Sequence, residues 1–180
     1  MGKLSTQAVV MTGHLEIDRQ HLELDQLVQQ LGTICEKRGI SGSSCAECPA
    51  EFRDSCTNRL AALLGDLLGF VVTHFSYEET LMRELPSTAA CRQHIEEHKL
   101  AHAEVSAKLL ESTRQLDREN PKHGALRLQE TILSWMGSHT GSLDVELATK
   151  LESIDTTELA HDLKLVKLLE QQPGAYLAAR

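Results

Sequence analysis

The sequence predicts an all-α fold: an up-down-up-down four-helix bundle with a cysteine-containing insertion between helices 1 and 2 and an extra C-terminal helix. Three observations predict it. Apolar residues recur at three- and four-residue intervals in four successive stretches, and no stretch alternates as a strand would. Only 3 Phe, 2 Tyr and 1 Trp occur in 180 residues, so the core must be built from Leu, Val, Ile and Ala.

The first helix carries Ile17, His21, Leu24, Leu27, Val28, Leu31 and Ile34 on one face, and Gly39 with Gly42-Ser43-Ser44 ends it. The second presents Leu60, Leu63, Leu64, Leu67, Val71, His74, Glu78 and Leu81 before Pro86 blocks continuation. A third begins near Cys91, aligns His98, His102, Val105 and Leu109, and stops before Asn120-Pro121. The fourth runs from about Gly124 through Leu128, Ile132, Trp135 and His139 to about Leu151. Residues 156–172 read as a shorter amphipathic helix with Leu159, Leu163, Val166 and Leu169 or Leu168, stopped by Pro173-Gly174. The expected organisation is a bundle domain over residues 1–153, with an insertion at about 36–56, and a helical extension over 154–180.

With 41% hydrophobic and 24% charged residues, the chain suits one well-cored domain with extensions. A net charge of -8 and the lack of a basic stripe argue against nucleic-acid binding. No apolar run approaches the roughly 20 residues that cross a bilayer, and the N-terminal stretch lacks the pattern of a signal peptide, so a cytoplasmic protein without membrane partners is expected.

Polar residues interrupt the apolar stripe of all four helices, where a plain bundle would place Leu or Ile. Burying imidazoles and carboxylates costs free energy unless something pairs them, and a metal does so. His74 and Glu78 stand four apart, as do His98 and His102, so each pair shares a helix face. With His21, His139 and Asp144 the set reaches five histidines and two carboxylates, more than a four-coordinate zinc site needs. Imidazole and carboxylate without thiolate suit iron, and carboxylates can bridge two ions. The five-residue step from His139 to Asp144 turns about 140° on an ideal helix, so convergence needs a local bulge or a reaching side chain. His94, one turn before His98, makes an alternative pair with it. Otherwise His94 is read as lying behind the ligands or facing solvent, and His14, His123 and His161 as surface residues.

Ile17-Asp18-Arg19-Gln20-His21, His74-Phe75-Ser76-Tyr77-Glu78-Glu79 with Met82, Glu97-His98-Lys99-Leu100-Ala101-His102, and Trp135 through His139 to Asp144 resemble the motifs of hemerythrins, in the same order. The resemblance implies two non-heme iron ions with an oxo or hydroxo bridge, spanned by Glu78 and Asp144. It gives His98, His102 and His139 to one iron and leaves His21 and His74 on the other with an open position, where dioxygen binds reversibly. It favours His98 with His102 over His94 with His98. Phe75, Trp135 and Met136 would line the ligand pocket, and Met136 stands where the family usually has Leu.

Cys35, Cys45, Cys48 and Cys56 fall within 22 residues, with Cys45-x-x-Cys48 at the centre. Three readings compete: a structural zinc site, a redox-active dithiol, and unligated cysteines. A zinc clip or thiol switch there would adjoin the helices bearing His21 and His74. Cys91 lies outside the cluster. The functional expectation is a bacterial-type dioxygen-binding protein for sensing, storage or delivery, with nitric oxide as a second ligand and, for sensing, a signalling partner. The rival from another class is a di-iron enzyme acting on peroxide, nitric oxide or dioxygen, and a third reading is an iron buffer or adaptor.

Overall fold

A computed structural model describes residues 9–35 and 45–154. The described residues form helices without strands: α1 (Leu15–Gly32), α2 (Ala50–Met82), α3 (Ala89–Arg114), α4 (Pro121–Ser138) and, after a π-helical turn at His139–Asp144, α5 (145–154). A short 3-10 turn, Cys45–Glu47, precedes α2. α1 and α3 each pack against both α2 and α4, which closes a bundle of four helical columns. The helix expected at 156–172 and the extension over 154–180 lie, apart from residue 154, outside the described residues.

The helix ends follow local chemistry. Thr88 accepts the Cys91 N–H at 3.1 Å to cap α3, and Asn120 caps α4 just ahead of Pro121. α2 begins at Ala50 directly after Pro49, so Cys56 stands on a helix rather than in the connecting segment. At the entry to α1, the buried Asp18 carboxylate accepts the Thr12 N–H at 2.6 Å and the Gly13 N–H at 3.1 Å. Gly13 has φ of +88°, a left-handed conformation that suits glycine, and the segment before it brings the Val10 carbonyl to His21.

The apolar interior is divided into two layers. The larger contains Leu24, Val28, Leu60, Leu67, Val105, Leu109, Leu128 and Ile132; the smaller contains Ile17, Met82, Leu85, Cys91 and Leu147. On each helical column the predicted polar residues fall between the layers: His21 between Ile17 and Leu24, His74 and Glu78 between Val71 and Met82, His98 and His102 between Cys91 and Val105, His139 and Asp144 between Ile132 and Leu147. A polar cluster is thus sealed above and below by hydrocarbon.

The expectation that no apolar run approaches a membrane-spanning length needs correction. An 18-residue stretch of α2 reaches a mean hydropathy of 1.5, enough by length and composition to cross a membrane. Its stripe of Leu63, Leu64, Leu67, Phe70 and Val71 is buried in the bundle and leads to the buried His74 and Glu78. That is the pattern of a core helix.

Candidate metal centre

All seven predicted residues converge. His21, His74, Glu78, His98 and Asp144 are 0% exposed, His139 1% and His102 4%. Their donor atoms form two groups, Glu78-His98-His102-His139 and His21-His74-Glu78-Asp144, in each of which the atoms lie within 4.8 Å of one another. Glu78 belongs to both. Its Oε2 lies 3.0 Å from His102 Nε2 and 3.4 Å from His98 Nε2, while its Oε1 faces His74 Nε2 at 3.5 Å. Asp144 divides its oxygens in the same way, with Oδ2 3.0 Å from His21 Nε2 and Oδ1 3.1 Å from both His98 and His139 Nε2. Each carboxylate therefore spans the two groups.

The backbone explains how Asp144 arrives. The π turn at His139–Asp144 takes up the angular mismatch of the five-residue step and brings both side chains to the interior. Hydroxyls supply partners for carbonyls around this turn: Thr140 Oγ1 donates to Met136 O at 2.6 Å, Ser138 to Ser134 O, and Ser142 to Ser138 O.

Every histidine presents Nε2 to the centre. Three are fixed by a partner at Nδ1, which selects the tautomer: His21 against the Val10 carbonyl at 3.3 Å, His74 against Gln20 Oε1 at 2.7 Å, and His98 against His94 Nε2 at 3.4 Å. Gln20 is itself oriented, since its Nε2 donates to Glu16 Oε1 at 2.8 Å. Hydrogen bonding to Arg19 and Gln20 holds the Glu16 carboxyl down at about 2, so it remains an acceptor.

The electrostatics suit a set of donors to a cation. Burial pushes the His74 imidazolium down to about 4 and lowers His102, keeping both neutral with free lone pairs. For His139 burial acts downward, yet the adjoining carboxylates of Asp144 and Glu78 prevail and raise it to about 9. Burial would likewise raise the two carboxyls, but imidazole hydrogen bonds hold Glu78 and Asp144 well below the usual range. His74 Nε2, Glu78 Oε1 and Asp144 Oδ1 are buried without a hydrogen bond despite their close neighbours, because the neighbours point at a common centre and not at one another. An all-nitrogen-and-oxygen set with orphaned atoms aimed inward fits metal ions.

A model of the hemerythrin HHE cation-binding domain matches residues 12–151, most of the chain. The chain belongs to the hemerythrin family. No curated protein and no solved structure matches it closely enough to count as a relative. A hemerythrin-family domain with this cluster is a metal-binding protein.

Of the predicted pocket residues, Phe75 stacks on His102 with centroids 3.6 Å apart and Trp135 stacks on His139 at 4.8 Å. Met136 is buried in the larger apolar layer. His94 is neither ligand nor solvent-facing: it is buried behind His98, with Nδ1 3.4 Å from Glu146. His14 is half-buried at the N-cap of α1 and His123 is exposed; His161 lies outside the described residues.

Sequence reasoning missed Gln20 and Phe70. Phe70 stacks on His74 at 5.3 Å, and its spacing of four from His74 was the available signal. Gln20→Leu is expected to weaken metal binding at the His21-His74 group by ~10–100-fold while sparing the other group, since an oriented histidine is a better ligand. Gln20→Glu, which keeps an acceptor, should restore it. Dialysis against a weak chelator followed by metal analysis checks this, and equal retention of both ions in Gln20→Leu would refute the role.

Proposed function

We propose that this hemerythrin-family chain holds two iron ions in an up-down-up-down bundle and binds dioxygen reversibly. The observation that carries the reading is the unequal division of donors. One group has three imidazoles and the shared Glu78; the other has two imidazoles with Glu78 and Asp144. With both carboxylates spanning the groups, the first has five donors and the second four, so the position open to a small ligand belongs to the His21-His74 side.

When bound, a ferrous pair supplies two electrons and that open position. The residues around it govern access. A cleft of about 440 Å³ between α1 and α2, lined by Gln20, Leu27, Phe70 and His74 among others, reaches this side from the surface. Phe70, Phe75 and Trp135 wall the histidines with aromatic faces that exclude water and slow irreversible oxidation. Gln20 keeps a proton at His74 Nδ1, which commits Nε2 to the metal.

Five histidines against two carboxylates also separate this set from the carboxylate-rich sites of ferritin-like proteins. A histidine-rich pair favours reversible binding over oxygen activation. The test is an iron count on the full chain, joined to the visible spectrum of the anaerobically reduced protein through a cycle of air and deoxygenation.

A further inference from the structure

The four clustered cysteines do not gather as a tetrahedral set. Among the described residues, the groups of three or more donor atoms within 4.8 Å are the two at the metal centre. Two of them lie close together. Cys35 lies just beyond the end of α1 and Cys56 in the second turn of α2, against the residue that precedes Cys35. Cys56 Sγ also donates to the Ile34 carbonyl at 3.8 Å, which aims it at the peptide joined to Cys35. Arg59 holds the same carbonyl from α2 at 3.1 Å, and both cysteines pack against the larger apolar layer. The contact is therefore built from three directions.

We propose that Cys35 and Cys56 are a disulfide-forming pair, a covalent site that clips the end of α1 to the start of α2 on exchange with a low-molecular-weight disulfide such as oxidised glutathione. The Cys56 thiolate attacks the reagent and expels one small thiolate. That thiolate takes the Cys35 proton, and Cys35 sulfur attacks the Cys56 sulfur of the mixed disulfide, expelling the second. Two protein S–H bonds are lost and one S–S bond forms, while the reagent's S–S bond is reduced to two thiols. Burial, with Cys56 and Cys45 nearby, pushes the Cys35 thiol up to about 11, which suits it to the second step, where proximity offsets a scarce thiolate.

Cys45, although near Cys35, is outside the proposed pair, as is Cys48. Cys45 opens the 3-10 turn and Cys48 follows it, with the Cys48 N–H donating to Cys45 O at 3.1 Å. The clip itself lies more than ~20 Å along the helices from His21 and His74, so it acts on stability and not on the donors.

The full chain with its metal, incubated with oxidised glutathione under nitrogen, should yield a Cys35–Cys56 cross-link in peptide mass mapping and a Tm raised by ~6–12 °C. Cys56→Ser should abolish both changes, and the double variant Cys45→Ser/Cys48→Ser should keep both. A link confined to Cys45 and Cys48, stable glutathione adducts on Cys35 or Cys56, or a cross-link that leaves Tm unchanged would overturn the proposal. So would one zinc per chain shielding all four thiols from alkylation until it is chelated.

Discussion

On the proposed di-iron reading, Glu78→Gln is expected to empty both metal positions at once, lowering iron from two per chain to below ~0.5. The reason is geometric: Glu78 is the residue common to both donor groups, with Oε2 toward His98 and His102 and Oε1 toward His74. Loss of an outer partner such as Gln20 affects one group by ~10–100-fold, so loss of a shared anionic donor should exceed that at both. The substitution preserves side-chain volume. Glu97→Gln is the control, since Glu97 is exposed although it adjoins His98. Metal analysis after gel filtration reads the result, and a Glu78→Gln protein that keeps two irons would contradict the shared-carboxylate arrangement.

Removal of the metal is expected to have the largest effect on stability. Seven imidazole and carboxyl groups, none more than 4% exposed, sit between two hydrocarbon layers. Without cations the cluster must be held by imidazole–carboxylate contacts that leave His74 Nε2, Glu78 Oε1 and Asp144 Oδ1 unsatisfied. Binding free energy for preformed donors becomes folding free energy, here on the order of 5–10 kcal/mol for two ions. At about 2–4 °C per kcal/mol for a chain of this size, anaerobic chelation should lower Tm by ~10–40 °C, and ferrous iron should restore it. Circular dichroism through the melt checks the shift; a metal-free Tm within ~3 °C of the loaded protein would show that the cluster is stable without cations.

The site was legible in the sequence to an unusual degree because its residues break a strong pattern. His21, Glu78, His102 and Asp144 stand where the helical period demands Leu, and no local preference explains them. The step between His139 and Asp144 even announced the bulge that the π turn supplies. Gln20 was hidden for the opposite reason. Beside Glu16 and Arg19 it reads as part of a solvated polar face, and only the packing of α1 on α2 turns its carbonyl toward His74, 54 residues away. His94 was ambiguous because the same face of α3 that carries His98 also carries it; the Glu146 carboxylate, brought over by α5, places it behind the ligand. The start of α2 was read too late because Gly, Ser and Cys dominate the preceding segment, whereas Pro49 sets the helix going at Ala50.

The central claim is tested most directly by counting iron in the full chain and following the reduced protein's visible spectrum through air and deoxygenation. The account predicts two irons per chain and a new absorption band that appears in air and fades when oxygen is withdrawn, over repeated cycles. Two irons that oxidise at once and irreversibly would contradict reversible binding and favour an enzymatic or redox role. A chain purified without iron, or with a single zinc in its place, would contradict the di-iron centre itself.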